Sequence, residues 1–343
     1  MLSSRKSIVG LDIGSSCIKA VEITKDRYDY VITGYGQIEV GADSARAEAI
    51  AELFQQVRLR TKRVITSVSG KSVIVRYITM VNMSEENLQK AIRFEADKYI
   101  PFDIEEVQLD CQKLDDLQEG ENKTEGDMKV LLVAVKKSLV EEQAQMLTEL
   151  GLQPVAIDVD AFALGTAFEL GEGLGAAIQE GNKVVALVDI GANKTCINIL
   201  KGNVSAFTRE VYLGGNDLTN VINRRLGVEP FEAELLKRDP QDRAAEVEDA
   251  VQPVLEDLAN EINLSFDYFE NQADTEVTEV YLSGGTAMME GLDESFERIF
   301  EKRTRVWNPI EGLKVKSDKV DIDSLNRSAP QLAIAVGLAA RMG

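Results

Sequence analysis

The 343-residue sequence predicts an α/β protein of two lobes, with duplicated βββαβαβα-type cores and a small α+β subdomain inserted in the first lobe. Three observations carry this. VGLDIGSSCIK, Val9 to Lys19, is an apolar run that ends in aspartate, glycine and small polar residues. LVDIGANKTCI, Leu187 to Ile197, repeats the pattern, so that Asp12 pairs with Asp189, 177 residues further on. Both halves also share an order of segments: a strand hairpin, another strand, then helices.

The elements follow in order. Ile8–Ile13, Ile18–Ile23 and Val31–Val40 are apolar or alternating runs between turn residues and read as a β-meander. SARAEAIAELFQQVRLR has helical spacing at Ala47, Ile50, Ala51, Phe54 and Val57. KRVITSVSG and SVIVRYITM are rich in β-branched residues and read as strands. Ser84 suits a helix N-cap, with Glu85 and Glu86 in the first turn where the helix dipole favours acids. That helix is expected to run to Tyr99 and to be stopped by Pro101, with Phe94 off its apolar face. VQLDCQKL and MKVLLVAVKK follow as a strand pair around residues 115–127, an acidic stretch that reads as a mobile hairpin loop. The helix Leu139–Leu150 and the strand PVAID complete the first half. The second half is expected to hold helix Phe162–Leu170, strands Val184–Ile190, Thr195–Leu200 and Val204–Val211, and helices from LGGNDLTNVINRRLG and PFEAELLKR. A long helical stretch then runs from about Ala244 to Asn271, where Pro253 must start or kink a helix. EVYLSGGTAMMEGL reads as strand, glycine turn, helix, and PQLAIAVGLAARM as an apolar helix. The expected domains are 1–83 with 320–343, an insertion over 84–156, and a second lobe over 157–319.

Composition narrows the function. A net charge of −20 repels nucleic-acid phosphate and anionic lipid. No segment approaches the roughly 20 apolar residues that span a bilayer, and the N-terminus, interrupted by Asp12, is not expected to be a signal peptide. Three cysteines, Cys17, Cys111 and Cys196, without CxxC spacing fit a reducing compartment. The absence of histidine removes Ser-His-Asp and Cys-His catalysis and most transition-metal sites.

A glycine two residues after a strand-ending aspartate lets the chain turn tightly and approach a ligand. The N–H groups of Gly14, Ser15 and Ser16 form a candidate anion nest, and Lys19 lies within reach of the same anion. Asp12 repels a phosphate unless a cation stands between them, and Mg²⁺ suits two carboxylates, Asp12 and Asp189, completed by water. Gly191 and Asn193 supply the matching loop. Either turn alone is an ordinary hairpin; two in order, followed by the glycine pair of LSGGTAMMEGL (Leu282–Leu292), argue for one bipartite site.

These three motifs together resemble the actin, sugar-kinase and heat-shock-chaperone ATPase superfamily, with PVAIDVDAFAL and LAIAVGLAA similar to its connecting helices. The resemblance implies that Asp12 and Asp189 organise Mg²⁺, that Gly14, Ser15, Ser16, Lys19, Gly191 and Asn193 hold the phosphates of ATP, and that Gly215, Glu234, Lys237, Gly284, Gly285, Thr286 and Met288 line ribose and adenine. Glu234 and Lys237, three apart on a helix, read equally well as a solvated ion pair. The insertion after Met80, with AIRFEADKYIPF and DIEEVQLDCQKL, is similar to the PilM family of type IV pilus assembly. That implies a cytoplasmic protein with weak or no ATPase activity and no assigned catalytic residue, held at the inner membrane by the cytoplasmic tail of PilN. The tail is expected to be short and mostly apolar with a basic residue. Candidate contacts are Phe94, Tyr99, Ile100 and Phe102, each of which also reads as core of the insertion. Other pilus platform or motor proteins and self-association are further expectations. Two alternatives are an FtsA-like division protein, which needs a basic amphipathic tail not seen after the last helix, and a small-molecule kinase, for which Asp158 and Asp160 are positioned as bases but also suit helix capping.

Overall fold

A computed structural model describes residues 6–26, 29–41, 46–114, 126–173, 183–316 and 318–341. The hairpin-loop reading of 115–127 falls almost wholly outside them. The first lobe opens with the meander β1 (Lys6–Ile13), β2 (Cys17–Asp26) and β3 (Asp29–Glu39), then α1 (Arg46–Gln56) and β4 (Arg63–Val68). The chain continues through β5 (Val73–Val81), α2 (Glu85–Ala96), β6 (Val107–Lys113), β7 (Asp127–Lys136), α3 (Lys137–Glu149), β8 (Gln153–Val159) and α4 (Asp160–Gly173). The second lobe has β9 (Val184–Ile190), β10 (Thr195–Lys201), β11 (Val204–Val211), α5 (Gly215–Leu226), α6 (Pro230–Arg238), α7 (Ala244–Ala273), β12 (Glu279–Ser283), α8 (Leu292–Phe300) and β13 (Arg303–Val306). β14 (Lys314–Val315), α9 (Ile322–Ser328) and α10 (Ala333–Ala340) return to the first lobe.

The duplication is visible in the sheets. One has the order β14-β3-β2-β1-β4-β8 and the other β11-β10-β9-β12-β13. In each, two antiparallel pairings build the meander and two parallel pairings extend it beyond its first strand; in the first sheet a third parallel pairing adds β14 to β3. Asp12 stands opposite Lys19, and Asp189 opposite Cys196, at equivalent registers. α4 and α10 pack against each other between the lobes: a Cβ on Gly337 would overlap the Ala163 carbonyl, and one on Gly10 the Ala335 carbonyl. Only glycine permits backbones this close.

A third sheet, β5-β7-β6, forms the insertion. β5 pairs antiparallel with β7 along its whole length, from Val73↔Val135 to Val81↔Asp127. The strand expected in the first-lobe core therefore belongs to the insertion, which begins near 73 rather than 84. β8, expected in the insertion, pairs with β4 in the first sheet. α2 has the expected cap, Ser84 Oγ accepting from Asn87 N at 3.4 Å, but ends at Ala96. Lys98, Tyr99 and Ile100 turn away with N–H bonds back to Glu95 and Ala96, so the chain leaves the helix before Pro101 forces it to. α7 passes through Pro253 without ending. The proline cannot donate to the Asp249 carbonyl four residues back, and Arg225 Nη1 donates to that oxygen instead, at 3.0 Å.

Candidate nucleotide site

The three glycine motifs are brought to one cleft by the strand order, because β1 and β9 are central in their sheets and β12 is the parallel neighbour of β9. Gly14–Ser16 join β1 to β2; Gly191–Lys194 join β9 to β10; Gly284 and Gly285 leave β12. A Cβ on Gly14 would lie 2.5 Å from the Cys17 carbonyl, and Gly284, at φ +91°, sits against Ile190. Gly215 N donates to Gly191 O at 2.9 Å and Thr286 Oγ1 donates to the same oxygen at 3.3 Å, so the second Asp-x-Gly loop, the start of α5 and the glycine turn after β12 meet at one carbonyl. Asn193 Oδ1 accepts from Asn216 Nδ2 at 2.6 Å. Met288 is partly exposed, with Gln331 Nε2 3.0 Å from its sulfur. Ser15 is exposed and Ser16 half-buried, with Ser16 O accepting from Val40 N at 2.9 Å.

The carboxylates carry the electrostatics. Asp12 is 7 % exposed and pairs with Lys19 Nζ at 2.9 Å. Burial raises its pKa, opposed by the Lys19 charge. Lys19 is itself desolvated, but the Asp12 carboxylate outweighs that and holds the ammonium above the usual lysine range. Asp189 accepts from Ser283 Oγ at 2.9 Å because β9 and β12 place the two residues in register. Burial pushes its pKa up to about 6, with Lys19 opposing and Asp12 adding to the rise. Lys194 binds Asp160 at 2.9 Å and Glu210 at 3.0 Å. Asp160 raises the pKa of both Asp12 and Asp189, so these charges share one cleft. Asp158 pairs with Arg341 at 2.7 Å.

Glu234 and Lys237 are more than a solvated pair. Lys237 is 7 % exposed, and its Nζ donates to Glu234 Oε2 at 2.6 Å, Thr219 Oγ1 at 2.9 Å and Gly215 O at 3.1 Å. Burial lowers its pKa despite the Glu234 charge. Among the described residues no three Asp, Glu or Cys side chains converge as a self-contained metal cage. Asp12 and Asp189 are two oxygen-donor groups facing one cleft, a set that fits Mg²⁺ when phosphate and water supply the other ligands.

Of the four candidate partner contacts, Phe94 is 81 % exposed and Tyr99 stands at the margin of exposure. Ile100 is buried in the core of the insertion, with Leu88, Ile92 and Ala96. Phe102 packs against that core and lies under Lys136, 4.5 Å from its ring centre. The four therefore do not form one free surface. Sequence reasoning missed Lys194, Ser283 and Arg238. Lys194 stood in the quoted second loop, but it precedes β10 where Lys19 lies within β2, and Ser283 becomes legible only once β9 and β12 are known to be neighbours.

Solved structures share the chain's fold. The PilM–PilN type IV pilus biogenesis complex is similar over 98 % of both chains, with 29 % identity and a TM-score of 0.85. EutJ from Carboxydothermus hydrogenoformans is 15 % identical over 98 % of this chain and 90 % of that one, TM-score 0.56. MreB5 of Spiroplasma citri bound to AMPPNP is 11 % identical over 98 % and 95 %, TM-score 0.50. Those two show the fold alone, which is the actin-like ATPase fold. The curated ethanolamine utilization protein EutJ of Escherichia coli K12 is 34 % identical over 116 residues, 33 % of this chain and 38 % of that protein. The chain thus matches under two fifths of that relative's length. The model of type IV pilus assembly protein PilM matches residues 10–342, and the chain belongs to that family.

Proposed function

We propose that the chain is an ATP- and Mg²⁺-binding adaptor on the cytoplasmic side of the inner membrane, which grips the N-terminal tail of PilN. The observation that carries it is the match over 98 % of both chains to a PilM–PilN complex. In this reading Asp12 and Asp189 hold Mg²⁺, which neutralises the phosphates and orients them. The N–H groups of Gly14–Ser16 and Gly191–Asn193 bind the phosphate oxygens, while Gly215, Glu234, Lys237, Gly284, Gly285, Thr286 and Met288 enclose the nucleoside. Phe94 and Tyr99 present apolar surface to the tail, and Ile100 and Phe102 support it from behind. Among the described residues no helix is long and apolar enough to cross a membrane, which fits attachment through a partner. A kinase needs a free base beside the phosphate; Asp160 and Asp158 are both engaged by cations.

Two measurements test this. The mass of nucleotide released from heat-denatured protein should be that of ATP or ADP. A fluorescent PilN tail peptide should bind, read by anisotropy, with an affinity that Phe94→Ala weakens about five- to thirtyfold, the roughly 1–2 kcal/mol of an aromatic anchor, with unchanged nucleotide affinity. Absence of both nucleotide and peptide binding overturns the proposal.

A further inference from the structure

Arg238, the last residue of α6, carries an ion pair from the adenosine-side helices to the first lobe. Its Nη1 binds Glu39 Oε1 at 3.1 Å across 199 residues of sequence. Its Nε donates to Glu234 Oε1 at 2.9 Å. Each end of this bridge leads into a different phosphate loop. Glu39 closes β3, stands opposite Cys17, and is followed by Val40, whose N–H is bound to Ser16 O in the first loop. Glu234 holds Lys237, Lys237 donates to Gly215 O, and Gly215 N donates to Gly191 O in the second loop. The contacts form a continuous circuit from Ser16 to Gly191 that crosses from one lobe to the other only at Glu39–Arg238.

We propose that this ion pair is a clasp over the cleft mouth, and that a nucleoside di- or triphosphate leaves the site only when the clasp opens. The inference rests on the nucleotide-site reading above and adds to it the control of exchange. A bound nucleotide would touch both loops, so lobe separation that frees it must break the circuit, and its weakest link is the exposed pair at the crossing. Both side chains are more than half exposed, which suits a contact that opens often and responds to salt. An interior pair would instead resist separation throughout exchange. Arg238 is thus a positioning residue: it steadies Glu234 with Nε while Nη1 reaches the first lobe.

The test is a stopped-flow chase of a mant-labelled adenine nucleotide with Mg²⁺ from the full chain. Glu39→Gln removes the charge from the crossing, leaving at most a neutral hydrogen bond, and leaves Glu234, Lys237 and every loop untouched. It should speed release about two- to fivefold, as expected of an exposed pair, with melting temperature unchanged. In an Arg238→Gln background, Glu39→Gln should add nothing, because the partner is already gone. Raising the salt concentration should bring wild-type release toward the Glu39→Gln rate, which itself should move little. Equal release rates in wild type and Glu39→Gln, or additive effects of the two substitutions, overturn the clasp while leaving the nucleotide site standing. Failure of wild-type protein to bind the probe overturns both.

Discussion

At the scale of single residues, the cleft holds carboxylates in a state that suits a cation better than an empty site. Asp189 is pushed up to about 6 from 3.8, chiefly by burial. An acid whose folded pKa is raised destabilises the fold above that pKa, and the penalty is relieved as pH falls through about 6 toward 4. Asp189→Asn retains the acceptor for Ser283 Oγ and removes the charge. It should raise the melting temperature of nucleotide-free protein at pH 7 by a few degrees, on the order of 1–3 kcal/mol, with a smaller difference at pH 5. The same variant should lose Mg²⁺-dependent nucleotide binding by calorimetry. An unchanged melting temperature at pH 7 would mean that the carboxylate is not desolvated as described.

Glu22 shows what the sequence conceals at this scale. It is the glutamate inside the Ile18–Ile23 strand run, and it is fully buried. Its Oε1 accepts from Arg60 N at 2.9 Å and Thr61 N at 3.1 Å, and its Oε2 from Thr33 Oγ1 at 3.0 Å. It pins the segment between α1 and β4, and its role depends on contacts 38 and 39 residues away that no local pattern records. Glu22→Leu leaves two backbone donors without their acceptor. Chemical denaturation should show a loss of roughly 2–5 kcal/mol, about 1–3 for each unsatisfied group.

At the scale of elements, most of the fold was legible because its strands and helices obey local rules. The β-branched runs became strands, Ser84 became the α2 cap, and the two Asp-x-Gly turns became hairpins at equivalent registers. What was not legible depended on pairing. β5 is expected in the first-lobe core, and its register with β7 places it in the sheet of the insertion. Helix contact is similar. Gly337 looks like a helix weakness, yet it is the point where α10 meets the Ala163 carbonyl of α4. Gly337→Ala places a methyl group against backbone that cannot rotate away. Overpacking of this kind costs about 1–3 kcal/mol, more than the roughly 1 kcal/mol that alanine gains over glycine inside a helix. A net rise in melting temperature for this variant would show that the two helices are not in direct contact.

At the scale of the whole molecule, the second lobe is tied to the chain entering the insertion by two polar chains that start at the head of α4. In one, Asp160 binds Lys194, Lys194 binds Glu210, and both oxygens of Glu210 accept from Gly70 N, at 2.9 and 3.1 Å. In the other, Asn198 Nδ2 donates to Ala161 O at 2.6 Å and its Oδ1 accepts from Ser205 Oγ, which meets Tyr77 Oη at 2.9 Å. Tyr77 is desolvated enough that burial pushes its pKa up to about 12. It therefore remains a neutral hydroxyl at physiological pH. Both chains use the edge strand β11 as the link, so β11 adds a polar tie between two lobes that each have an apolar core of their own and share a further one around α4 and α10. Glu210→Ala breaks the first chain, strands Gly70 N and leaves Lys194 with Asp160 alone. Tyr77→Phe removes only a hydroxyl from the second, and Ser205 keeps Asn198 as acceptor. Glu210→Ala should therefore cost on the order of 1–3 kcal/mol and Tyr77→Phe about 1 kcal/mol. Because the chains run in parallel, each single variant should still unfold in one calorimetric transition. The double variant should lower cooperativity, with the van't Hoff enthalpy falling below the calorimetric one as the lobes begin to melt separately. A double variant that melts in one transition with matching enthalpies would assign the coupling of the lobes to the apolar core they share around α4 and α10.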